Sequence, residues 1–211
     1  MRTSIWLALT LTVLPLSAQR NEPIGEPGKF DYYLLSLSWS PAYCASRESN
    51  ANDPQCAQER HFAFVLHGLW PQYDDGRWPQ FCSQKPGPPD PRPMLDIMPS
   101  PKLVRHEWEK HGTCSGLDVS GYFGLARKAF NNIRIPARFQ NPTQYVTIGP
   151  GEVKREFLAA NPGFSPDSIA IQCSSNYLSE VRICMNKDLR PTPCRHQREC
   201  RASSVRMPPV R

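Results

Sequence analysis

Beyond its first twenty residues the chain has no long apolar run, so nothing there supplies the about 20 consecutive apolar residues that a membrane-spanning helix needs. It has no Cys-x-x-Cys pair, the spacing from which zinc knuckles are built. It has no open Asn-x-Ser/Thr acceptor either, because Asn141-Pro142-Thr143 is blocked by its proline. No internal repeat is visible, which leaves solenoids and propellers out. Histidine is scarce: of 211 residues only five are His, and three of those fall in two short blocks. Residues that are rare overall and concentrated in two places point to chemistry at those places.

What is present begins with a leader. Arg2 supplies a positive start, Ile5 to Leu16 form a short apolar stretch, and Leu16-Ser17-Ala18 has the small residues of a cleavage site. Residues 1–18 are therefore expected to be a signal peptide cut after Ala18, which lowers the net charge from +6 to +5 as Arg2 leaves. A secreted or periplasmic product follows. Eight cysteines in an exported chain imply four disulfides, although eight cysteines alone allow on the order of a hundred pairings. The positive balance favours an anionic partner. Lys187, Arg190, Arg195, Arg198, Arg201, Arg206 and Arg211 crowd the C-terminal end, and read either as a solvated surface or as one that attracts phosphate.

The remaining length suits one domain, 19–201, followed by a flexible tail over 202–211. Phe30 to Trp39 reads as a strand with Tyr33, Leu35, Leu37 and Trp39 on one face, and Phe62 to Leu66 as a second strand that delivers His67 at its end. Lys85 to Pro101 holds seven prolines and is expected to be an ordered loop or a flap. Leu103 to Lys110 follows as a helix capped by Ser100, with Pro101 in its first turn. Helices are also expected over 121–133 and 151–160, and strands over 168–173 and 177–184. The pattern is α+β, with helices packed around a central antiparallel sheet stapled by disulfides.

The densest chemistry lies in His106-Glu107-Trp108-Glu109-Lys110-His111-Gly112-Thr113-Cys114. On a helix, positions 106, 107, 110 and 111 span an arc of about 140°, so one face presents two imidazoles, a carboxylate and an ammonium. Trp108 points away and can anchor the helix. Such a face suits an oxyanion that must gain and lose protons, and histidine does both near neutrality. A catalytic zinc site of the His-Glu-x-x-His kind is excluded, because the second histidine comes five residues later and position 110 is a lysine that would repel the ion. The second block, Phe64 to Pro71, adds His67 and Trp70.

These two blocks closely resemble the active-site segments of the ribonuclease T2 family, which includes bacterial periplasmic ribonuclease I and the plant S-ribonucleases. His67-Gly68-Leu69-Trp70-Pro71 is similar to the first segment and His106 to Cys114 to the second. Tyr33 to Trp39 and Ile183-Cys184 extend the likeness over most of the chain. The resemblance implies an endoribonuclease that cleaves single-stranded RNA without metal or cofactor, through a 2′,3′-cyclic phosphate. It implies that His111 is the general base and His67 the general acid, that His106 holds the phosphate, and that Glu107 and Lys110 stabilise the transition state. It implies base stacking on Trp70 and Trp78. Gln72 stands where some fungal relatives carry an aspartate that reads adenine, so broad base specificity is expected. The same likeness implies the pairings Cys44–Cys56, Cys82–Cys114, Cys173–Cys200 and Cys184–Cys194. His61 and His196 match nothing catalytic. A monomer is expected, and the rival reading is a non-catalytic RNA-binding or cell-surface protein on the same fold, which would not need five acid–base groups.

Overall fold

A computed structural model describes residues 24–46, 53–57 and 60–210; the expected signal peptide lies outside them. Six strands form one sheet: β1 (Tyr32–Trp39), β2 (Phe64–Gln72), β3 (Val146–Ile148), β4 (Ile169–Ser174), β5 (Tyr177–Met185) and β6 (Val205–Met207). Their order is β2-β1-β5-β6-β3, with β4 also paired to β5. All pairings are antiparallel except a single parallel bridge between β5 and β6. The helices are α1 (Ser40–Ala45), α2 (Pro101–Lys110), α3 (Val119–Asn131) and α4 (Pro150–Ala160). Among the described residues no helix is long and apolar enough to cross a membrane.

Alternation along β1 decides which side of the sheet is which. Tyr33, Leu35, Leu37 and Trp39 are buried in the main core, as their spacing predicts, together with Val104 and Trp108 of α2, Tyr122 and Ala126 of α3, and Val153 and Phe157 of α4. Tyr32 and Leu34 face the other way, into a small cluster with Cys184, Trp70 and Cys194. That second side carries the cleft described below.

Apart from β2, the expected helices and strands form within a residue or two of their predicted limits, and Ser100 Oγ accepts from Leu103 N to cap α2. The four disulfides implied by the family likeness all form. Of the two alternatives for the proline-rich stretch, it is the ordered loop: Met94, Ile97 and Met98 are buried, Ile97 O accepts from Leu66 N, and Lys85 O accepts from Trp108 Nε1. Two features differ. β2 does not stop before His67 but runs to Gln72, so His67 lies inside the strand. The segment expected to trail loosely after Arg201 instead supplies β6, burying Val205 and Met207 against β3, and Pro208 O accepts from the buried Trp39 Nε1. Burial of apolar side chains and a satisfied indole outweigh the polar composition of that segment.

Candidate active site

A cleft of about 390 Å³ opens on the sheet face that carries Leu34. All eight expected site residues line it: His67, Trp70, Gln72, Trp78, His106, Glu107, Lys110 and His111. Gln172, Arg182, His196, Gln197 and Arg198 line it as well.

His67 reaches the cleft through an irregularity in β2. Ser36 of β1 pairs with Gly68 and Leu37 with Leu66, so His67 is the extra residue of a bulge. A bulge shifts the alternation of a strand and re-aims its side chains. Here it puts His67 and Trp70 in the cleft while Leu66 and Leu69 stay in the core. Gly68 has no alternative: a Cβ there would collide with the Glu107 carboxylate and the Trp70 indole.

α2 delivers the second block. Glu107 is buried (1 % exposed), His111 is the C-terminal cap at 5 %, and His106 and Lys110 lie nearer solvent. After His111 the chain continues into a 3-10 turn, Gly112–Cys114, whose first residue passes so close to Trp108 and Tyr122 that a side chain would not fit. Cys114 is then bonded to Cys82, and Tyr122 Oη donates to Leu69 O. The second block is thus tied through Cys82 to the segment that follows the first, and α3 is bonded to the first at Leu69.

Trp70 sits at the centre. Its Nε1 donates to Glu107 Oε2 at 2.7 Å, the His111 ring stacks on it at 5.3 Å, the His67 ring meets it edge-on at 5.0 Å, and the Arg182 guanidinium lies 5.4 Å away. An indole engaged on so many sides is first a scaffold for the acid–base groups. Trp78, 47 % exposed, is the more open aromatic surface in the cleft. Gln72 is buried and its Nε2 donates to Pro71 O.

The charged groups split the histidines. His67 Nδ1 is 2.6 Å from Glu180 Oε1, and its Nε2 is 3.9 Å from Glu107 Oε1. A carboxylate only accepts, so Nδ1 carries a proton. Burial pulls the His67 pKa down, but the Glu180 hydrogen bond and the charges of Glu180 and Glu107 outweigh it, and the net shift is upward. His111 is held well below the ordinary imidazole value, by burial first and then by the positive Lys110, His106 and His67. His106 is also lowered, by burial and by Lys110. Burial pushes the Glu107 carboxyl up to about 7. Burial would raise Glu180 too, yet His67 and Arg182 bring it down to about 2. Two imidazoles shifted in opposite directions from their ordinary value therefore face one cavity. Among the described residues no three of His, Cys, Asp and Glu converge as metal ligands.

Glu180 and Arg182 were not among the expected site residues, and His196, expected to be ordinary, lines the cleft. Its loop is pinned by Cys184–Cys194 and Cys173–Cys200, with Gln172 Nε2 donating to Arg198 O. The basic C-terminal residues are dispersed: Arg195 pairs with Asp74, Lys187 lies over Phe30, Arg206 over Tyr145 and Tyr177, and among the described ones Arg198 alone lines the cleft.

The sequence model of the ribonuclease T2 family matches residues 30–194. A ribonuclease of Aeromonas hydrophila is 36% identical over 193 residues, covering 87% of this chain and 85% of its own. Ribonuclease DdI of Dictyostelium discoideum is 32% identical over 204 residues, covering 85% and 86%. The crystal structure of RNase NT in complex with 5′-AMP superposes with a TM-score of 0.65 at 26% identity, covering 86% of this chain and 99% of that one.

Proposed function

We propose, for a chain that belongs to the ribonuclease T2 family and is an endoribonuclease, a division of labour between two imidazoles in metal-free cleavage of single-stranded RNA. His111, neutral near pH 7, takes the proton of the ribose 2′-hydroxyl. The 2′-oxygen attacks the adjacent phosphorus, and the bond to the 5′-oxygen breaks. His67 gives the Nε2 proton to that leaving oxygen, and a 2′,3′-cyclic phosphate remains. Lys110 and His106 line the same cavity and meet the charge that grows on the phosphoryl oxygens, where preorganised donors act most strongly. Glu107, near its midpoint at neutral pH, shares or releases a proton as that charge develops. DNA lacks the internal nucleophile and is not cut. Trp78 offers a face on which a base stacks.

The observation that carries this reading is the opposite displacement of His67 and His111 from the ordinary imidazole value within one cleft. Four disulfides and the expected signal peptide support export to an oxidising compartment. The test is incubation of the oxidised protein with single-stranded RNA in excess EDTA, beside His111→Ala. Cyclic-phosphate fragment ends from the wild type alone are expected. RNA left intact only when EDTA is present would overturn the metal-free step.

A further inference from the structure

His67 and Glu180 belong to strands that do not touch. β2 and β5 flank β1 on either side, and neighbouring strands lie about 4.8 Å apart. Side chains of β2 and β5 can meet over β1 only if β1 presents little bulk on that face. It carries serines there. Ser36 pairs with Arg182 and Ser38 with Glu180, and Ser38 Oγ lies 3.5 Å from Glu180 Oε1. The bulge turns His67 toward the same gap.

Glu180 is itself held. Arg182, two residues along β5 and so on the same face, directs Nε and Nη2 at Glu180 Oε2, each at 2.8 Å. Arg182 Nη1 donates to Gln197 Oε1 at 3.1 Å, in the disulfide-pinned loop. With Oε2 occupied by the guanidinium, Oε1 is left for Nδ1 of His67.

We propose that Glu180, held by Arg182, is a positioning residue for RNA cleavage, keeping the proton-donating Nε2 of His67 aimed at the leaving oxygen and the ring in its doubly protonated form. The inference rests on the reading of His67 as the general acid. An imidazole with a proton only on Nδ1 has nothing to donate from Nε2, so the second proton must be stabilised by a neighbouring charge. The charged and titratable groups around His67 are Glu180 and Arg182 from β5, and His106, Glu107, Lys110 and His111 from α2 and its cap. Of these, Glu180 reaches a ring nitrogen at hydrogen-bonding distance, while Glu107 stays at 3.9 Å. When the phosphorus–oxygen bond breaks, the Nε2 proton passes to the departing 5′-oxygen. The ring is left neutral, its remaining proton on Nδ1 and still donated to Glu180.

An ion pair that only supports the sheet would slow all substrates alike; one that readies an acid matters in proportion to how badly the leaving group needs a proton. Glu180→Gln and Glu180→Asp are compared with wild type on RNA, whose leaving group is an alkoxide, and on a nucleoside 3′-(p-nitrophenyl phosphate), whose leaving group needs no proton. For Glu180→Gln the RNA rate is expected to fall about 10- to 100-fold, short of the about 10²- to 10⁴-fold that general acid catalysis contributes because His67 itself remains, while the nitrophenyl ester changes by less than about threefold. The alkaline limb of the RNA pH profile should move to lower pH. Glu180→Asp keeps the charge at a shorter reach and should fall between, which preserves the comparison if the glutamine variant does not fold. His67→Ala in the same assays separates the two claims. Equal loss on both substrates for His67→Ala defeats its role as acid. If His67→Ala discriminates between substrates but the Glu180 variants lose equally on both, with the alkaline limb unmoved, the positioning role of Glu180 is overturned.

Discussion

His67 and His111 face one cavity, yet what stands behind each ring is opposite in kind. Behind His67 is a sheet whose middle strand carries small residues, so a carboxylate from two strands away reaches Nδ1 and a guanidinium holds that carboxylate. Behind His111 is the end of a helix packed into the core. Its Nδ1 is buried with no hydrogen-bond partner, its ring lies against Trp70, and its charged neighbours are cations. The same side chain is thereby shifted up in one place and down in the other. Burial disfavours the charged form of both, and only a countercharge reverses it. Trp70 lies between the two rings and meets both, and its indole donates to Glu107.

Removing one member of the pair gives the largest effect. His111→Ala should lower the initial rate on single-stranded RNA by about 10³-fold or more, leaving thermal unfolding close to wild type. A fall below tenfold would show that another group takes the proton.

Disturbing the ground between the two comes next. Gly68→Ala places a methyl against the Glu107 carboxylate and the Trp70 indole. Displacing catalytic groups by about 1 Å costs about 10²-fold, so activity should drop by that order with little change in far-ultraviolet circular dichroism. An unchanged rate would mean that Glu107 and Trp70 need not be so close.

Stability against pH probes the carboxylate behind His67. Glu180 is depressed from 4.5 to about 2, so its contribution is present above 4.5 and is lost as pH falls through 2. His67 is raised, so its contribution is present below 6.5 and is lost as pH rises through its folded value. The pair therefore stabilises most between 4.5 and 6.5. In denaturant titrations Glu180→Gln should be less stable than wild type in that window by about 1–3 kcal/mol, a buried hydrogen bond to a charged group. The deficit should shrink on both sides; a deficit independent of pH would remove the charge from the explanation.

The smallest effect is expected where neither histidine is touched. Trp78→Ala should raise KM on oligonucleotides by about 1–3 kcal/mol of lost stacking while leaving the pH profile in place. A shifted profile would tie Trp78 to the acid–base pair.

The two blocks were legible in the sequence because each is contiguous: a helix and a short strand carry their own spacing, and Trp108 declares which side of the helix packs into the core. Glu180 and Arg182 were not, because Glu180 and His67 are 113 residues apart and meet through strand register. In Tyr177-Leu178-Ser179-Glu180-Val181-Arg182 they read as the solvated half of an alternating strand. The two-for-one pairing at His67 is likewise a property of two strands together. His196 gave no local signal, since it is two disulfides that draw its loop to the cleft. β6 was hidden for a related reason: three residues among arginines, serines and prolines form a strand only when β3 and Trp39 are there to receive them.

The contrast between the two histidines is tested most directly by nuclear magnetic resonance titration of their imidazole protons, assigned with His67→Asn and His111→Asn. His67 should titrate above the ordinary imidazole range and His111 well below it, with His106 also lowered. If His111 were found to hold its proton to higher pH than His67, the assignment of base and acid would be reversed.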